Sequence, residues 1–212
     1  MLSASLQTHP GVRSIPRHRP SVLVEDWQLT VLRRMIWLYF ILLIAEGALR
    51  KWALPSLSTP LLVIRDPLVL LIYVQALRSR RFPINGPVVA YFLLVTSFIL
   101  LALFQMIGGI GGGPVIAAYG LRTNFLHLPL IFVIPQVFSH ADVIKLGKWV
   151  LMLSVPMAGL MIWQYMSPPD SWINAATSAD VQQITFALGK IRPAGTFSFA
   201  TGAAHFLSLI HI

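Results

Sequence analysis

The chain has 212 residues, 56% of them hydrophobic and 11% charged, with a mean hydropathy of +0.74 and a formal net charge of +9. A soluble domain carries charge on about a quarter of its residues, so this composition excludes an ordinary soluble fold and points to an integral membrane protein. There is no cysteine, which excludes disulfides, thiolate metal sites and cysteine nucleophiles; the cations flank apolar runs, which argues for membrane orientation and against a nucleic-acid partner.

Residues 1–34 read as a basic cytoplasmic tail without fixed structure. The stretch HPGVRSIPRHRPS is broken by proline and has no apolar core, so it is no cleavable signal. The transmembrane domain is then expected over residues 35–206. It is an all-α polytopic bundle of five complete spans and the start of a sixth. The spans are expected at about 35–49, 60–77, 87–107, 114–138 and 149–166, with the sixth from 197 onward. Trp37, Trp52, Trp149 and Trp163 fall near expected span ends, as interfacial aromatics do.

Ten of the sixteen cations fall on one side if the N-terminus is inside: Arg13, Arg17, Arg19, Arg33 and Arg34, the Arg78–Arg81 loop, and Lys145 with Lys148. The positive-inside rule therefore predicts a cytoplasmic N-terminus and an external loop over 167–196. Within that loop Val181, Ile184 and Leu188 have helical spacing behind Ser178, which predicts a short interfacial helix. The GGIGGGP loop lacks the GK[ST] ending of a nucleotide site and reads as a flexible turn. The final LSLIHI can be encoded by CTG TCT CTT ATA CAC ATC, a transposon-adapter end. Leu207–Ile212 are therefore expected to be an adapter scar on a truncated gene, and His211 is set aside from any site.

The remaining six cations, Arg50, Lys51, Arg65, Arg122, Lys190 and Arg192, fall outside or in the outer half of the spans. A charge at the membrane centre costs at least about 2.5–3.5 kcal/mol, so such residues pair or face a cavity. Glu46 and Arg50 have the i, i+4 spacing of a helical pair. Arg65 and Asp66 are adjacent and point about 100° apart, so they look to different neighbours. Either neighbouring helices neutralise them, or Arg65 walls an outward-facing cavity with Asp66 orienting it. Asp66 before Pro67 predicts a cap and a break in the second span, with the Val63 carbonyl left free. On the fourth span Tyr119, Arg122, Thr123 and His127 share one polar face. His127 reads either as a packing histidine or as part of that site. Several arginines opening outward suit a ligand with more than one phosphate, because guanidinium pairs with phosphate oxygens bidentately. Buried charges and proline breaks equally suit a transporter or flippase pathway, or a non-catalytic assembly protein. No HExxH or GxGD motif is present.

The segments EGALRKWALP, RDPLVLLIYV, YGLRTNFLHLPLIFVIP and IRPAGTFSF resemble the O-antigen polymerase and O-antigen ligase superfamily over roughly Met35–Phe206. The resemblance implies a multispanning inner-membrane glycosyltransferase, with about twice these spans. Such enzymes move glycan from an undecaprenyl diphosphate carrier to an acceptor hydroxyl outside the cytoplasm. The implied transfer is inverting and uses no metal and no cofactor. By the family's pattern of external arginines, Arg192 is the first match for the diphosphate, then Arg122 and Arg65. Asp66, Glu46, Arg50, His127 and Lys190 would support them. Gly195 and Thr196 would let backbone or hydroxyl approach the carrier. The family's later external loop, with its base, has no counterpart in this chain, so no general base is assigned and the fragment alone is expected to be inactive.

Overall fold

The computed structural model describes residues 20–109, 113–176, 185–186 and 190–211. Their regular secondary structure is helical apart from one two-residue strand pair. Helix α1 (Pro20–Ala48) runs on through a π turn, Leu49–Ala53. Residues 20–34, expected as tail, are therefore helix; Arg33 there bonds the Val137 carbonyl at 3.3 Å and pairs with Asp142 at 3.1 Å. Residues 1–19 lie outside the described ones.

The second expected span is interrupted. It comprises α2 (Ser58–Leu61), a turn at 62–64, and α3 (Arg65–Arg78). The break precedes Arg65 rather than falling at Pro67. Pro67 sits in the first turn of α3, where no intrahelical donor is missed. The Val63 carbonyl is not free, since the Asp66 N–H donates to it at 3.0 Å. Helix α4 (Gly86–Ile107) follows, capped by the Asn85 side chain on the Val88 N–H.

The fourth span is made of α5 (Pro114–Leu121), a π turn at Arg122–Leu126, and α6 (Leu130–Val137). Pro129 has no N–H to give the Phe125 carbonyl, and Tyr91 of α4 donates its hydroxyl there at 2.7 Å. Tyr73 of α3 does the same for the Leu126 carbonyl, also at 2.7 Å. Irregular backbone inside an apolar bundle is stable when protein groups satisfy it in this way. Helix α7 (His140–Met166) opens with a Ser139–Asp142 capping box, nine residues before the expected start. Helix α8 is Ala200–Ser208, with a 3-10 turn at Leu209–His211.

The main core joins α1, α3 and α6 through Leu32, Ile36, Tyr39; Val69, Ile72, Ala76; and Leu130, Val133, Val137. Each trio has the spacing of one helical face. Helix α3 runs back beside α1, so the bundle has two ends. One is marked by Arg33 with Asp142, the other by Arg50, Ser58, Gln164 and Gly195. Trp52, Trp163 and Trp172 cluster edge to face at the Gly195 end.

Among the described residues, four helical stretches are long and apolar enough to cross a membrane: Trp27–Ala53, Gly86–Ile107, Pro114–Val137 and His140–Met166. Their outward faces are apolar, as on α4 at Phe92, Leu93 and Leu100. This suits a lipid bilayer and a multi-pass membrane protein. The broken 58–78 segment holds no helix of that length, so four spans rather than five meet the measure. In the segment after α7, β1 (Thr185–Phe186) pairs antiparallel with β2 (Lys190–Ile191) in place of that part of the expected helix. Ser178, Val181, Ile184 and Leu188 lie outside the described residues, as do Gly111 and Gly112 of the glycine loop.

Candidate functional site

The charged residues of α1, α3 and α5–α6 meet in a buried layer that begins at the Gly195 end. The π turn after Ala48 carries Arg50 and Lys51 and keeps both buried. Arg50 donates to the Ser58 carbonyl at 2.8 Å and to Ser198 Oγ at 3.0 Å, and lies 3.6 Å from Glu46. The expected i, i+4 pair is thus present, but the closer partner of Glu46 is Arg65, at 2.5 Å from α3.

Asp66 does not orient Arg65. It turns the other way and takes Arg122, whose Nη2 also donates to the Leu62 carbonyl at 2.6 Å. The angular separation of adjacent helical residues causes this: Arg65 reaches back to α1 and Asp66 across to the second π turn. Arg122 finds on α3 the acid that its own span lacks. His127 Nε2 is 3.4 Å from Asp66, its ring lies against Tyr39, and its buried Nδ1 has no partner. Arg65 also stands over the Tyr39 ring. The contacts running from Ser198 through Arg50, Glu46 and Arg65, and from Arg122 through Asp66 to His127, gather six of the expected site residues. They match the neutralised alternative for Arg65 and Asp66. Both π turns carry cations of this layer; π turns frequently occur at functional sites.

Arg192 is not part of those contacts. It is exposed and sits just after β2, three residues before Gly195. The backbone of Lys190 lies in β2; its side chain is outside the described residues. The backbone of Gly195 is engaged within the chain. It has a φ of +58° and is packed on α7, with both peptide groups taken. Gln164, 0% exposed, accepts the Gly195 N–H at 2.8 Å and donates to the Gly195 carbonyl and the Ile173 carbonyl, each at 3.2 Å. Asn174 closes the loop beneath by donating to the Pro168 and Gln164 carbonyls. The carbonyl of Thr196 lies so close to Gly47 that a β-carbon there would sit 2.1 Å from it. Glycine at 47 is what lets the entry to α8 press against α1.

The sequence reading passed over Lys51, Gln164 and Asn174 as site residues. Gln164 is an amide inside an apolar helix, and Lys51 follows Arg50 directly; both signals were open to inspection. Lys51 is 2% exposed, and its ammonium donates to the Gly195 carbonyl at 3.4 Å. Among the described residues it meets no carboxylate. Among the described residues of this end, two carboxylates, Glu46 and Asp66, hold Arg50, Arg65 and Arg122, and Lys51 stands apart from both, a surplus of two cations. An uncompensated buried charge is costly, and such sites gain from an anionic ligand. Among the described residues no cluster of three or more histidine, aspartate and glutamate side chains could hold a metal ion. No family model, no curated protein and no solved structure matches the chain.

Proposed function

We propose that the Gly195 end of the bundle receives the diphosphate of a lipid-linked glycan, undecaprenyl diphosphate being the carrier the resemblance implies. The chain is in this reading the N-terminal part of a bacterial inner-membrane glycosyltransferase of the O-antigen polymerase or ligase type. Its N-terminus is cytoplasmic, 58–78 is a broken fifth crossing, and α8 opens a sixth. The observation that carries the reading is the surplus of buried cations, above all Lys51 with no carboxylate.

The geometry redistributes the roles. Arg65 and Arg122 are each held by a carboxylate and build the floor of the layer. Lys51, beside the Gly195 carbonyl, and the exposed Arg192, three residues before Gly195 in the chain, are the diphosphate contacts. In the reaction the acceptor oxygen bonds to the anomeric carbon as the bond from that carbon to the diphosphate oxygen breaks. The diphosphate leaves with the electron pair, and fixed cations in a poorly hydrated site stabilise that charge. The acceptor's proton passes to a base that the family carries in its later external loop. A broken helix bordered by buried charge also favours a second reading, a flippase for the same lipid.

Proteoliposomes of the complete gene product, loaded with undecaprenyl-diphosphate glycan and an acceptor saccharide, separate the two. The transfer reading expects glycan joined to acceptor. Carrier-linked glycan that crosses the bilayer with no new glycosidic bond would overturn it in favour of the flippase.

A further inference from the structure

A second feature lies away from the ionic layer. Helices α1, α7 and α8 enclose a cleft of about 910 Å³, at the upper end of the size of small-molecule sites. Its α7 wall is a single helical stripe, Lys145, Trp149 and Leu153, and its α1 wall is Trp37, Ile41 and Ile44. Phe197, just before α8, and Phe206 within it close the third side. The walls are apolar, and their polar groups from α8 are already occupied. His205 Nδ1 meets the Thr201 carbonyl at 2.8 Å, and Ser208 Oγ donates to the His205 carbonyl at 2.7 Å.

Lys145 is the exception. It lines the cleft, its side chain is exposed, and its ammonium stands 5.7 Å from the centre of the Trp37 ring. Among the described residues it forms no salt bridge; its charge acts on the neighbouring Asp142, which Arg33 and Ser139 hold. Lys145 is 21 residues from Met166 along α7, about 30 Å of helix, which is the thickness of a bilayer core. The ammonium is thus at headgroup level when the Gly195 end is at the opposite surface. Below it, Trp149 and Trp37 face the cleft where acyl chains begin.

We propose that this cleft is a binding site for an anionic phospholipid of the bilayer, with its acyl chains along the walls of α1, α7 and α8 and its phosphate on Lys145. A cleft that opens among spanning helices is filled by the membrane itself, and an exposed cation at its headgroup end selects for negative charge. Basic pockets between transmembrane helices hold anionic headgroups by this combination. The site is independent of the Gly195 layer and of any reaction there.

Trp37 and Trp149 report on it directly. The chain is reconstituted in phosphatidylcholine vesicles containing a minor fraction of lipid brominated in its acyl chains, either phosphatidylglycerol or phosphatidylcholine. The fluorescence quenched in the chain but not in its Trp37→Phe/Trp149→Phe variant is the cleft signal. Brominated phosphatidylglycerol is expected to produce half-maximal cleft quenching at about fivefold lower mole fraction, the contribution of one lysine near an anionic headgroup. Lys145→Gln should erase that preference and Lys145→Arg should keep it. Equal quenching by both lipids would mean unselective filling. Absence of cleft quenching with either lipid would mean that protein, such as a second copy, covers the cleft. Either result overturns the proposal.

Discussion

The side chain of Gln164 and the peptide of Gly195 form a closed two-way pair: the Gly195 N–H donates to Gln164 Oε1 at 2.8 Å, and Gln164 Nε2 returns a bond to the Gly195 carbonyl at 3.2 Å. The pair fixes the left-handed turn that leads into α8. Gln164→Leu keeps the volume but orphans the Gly195 N–H and the Ile173 carbonyl, and leaves the Gly195 carbonyl with the Lys51 ammonium alone. Each buried orphan costs about 1–3 kcal/mol, so a fall in the thermal midpoint of the purified chain is expected. An unchanged midpoint in Gln164→Leu would show that the pair does not hold the turn.

Two glycines at this end should differ in sensitivity. A β-carbon at Gly195 would lie 2.4 Å from Met157 Sδ, a flexible neighbour, and the left-handed backbone adds roughly 1–2 kcal/mol. A β-carbon at Gly47 would lie 2.1 Å from the Thr196 carbonyl, which is backbone and cannot swing aside. Gly47→Ala should therefore destabilise the chain more than Gly195→Ala. Adding Met157→Ala should recover part of the Gly195→Ala loss and none of the Gly47→Ala loss. Chemical denaturation of the four variants measures this.

The Asp66–Arg122 pair is strongly coupled by geometry, since two guanidinium nitrogens meet the carboxylate. Removing one partner of a buried pair costs about 3–5 kcal/mol because the other charge remains. Asp66→Asn or Arg122→Met alone should each reduce stability sharply. The double variant should lose much less than the sum. Additive losses would mean that Asp66 and Arg122 are not each other's principal partner.

Much of the bundle was legible in the sequence where one helix is both long and uniformly apolar. α4 starts one residue from its expected position because Asn85, Pro87 and an unbroken apolar run agree. α1 and α7 extend further than expected because Arg33, Lys145 and Lys148 were read as ends of spans, whereas long helices continue beyond the bilayer core. The charged pairings were illegible for another reason. Glu46 meets Arg65 and Asp66 meets Arg122 across sequence separations of 19 and 56, which local spacing does not encode. Both π turns were equally hidden, since the residues that satisfy the second, Tyr73 and Tyr91, lie on other helices.

Orientation is open to direct labelling because the chain has no cysteine. Asp170 is exposed just beyond α7, unlike the buried Asn174. Asp170→Cys should react with a membrane-impermeant maleimide on intact cells. Labelling only after permeabilisation would reverse the proposed orientation.

Lys51 tests the central claim most directly, because stability and binding should move in opposite directions there. Lys51→Met replaces a buried cation that has no carboxylate with an apolar chain of similar length, so the variant should be at least as stable as the parent. The measurement is binding of undecaprenyl diphosphate and of undecaprenol to the purified chain in nanodiscs, with the parent and Lys51→Met compared. The account predicts that the parent prefers the diphosphate by about tenfold or more, the equivalent of about 1.4 kcal/mol, and that Lys51→Met loses this preference while remaining folded. Equal binding of the two lipids by the parent, or an unchanged preference in Lys51→Met, would contradict it.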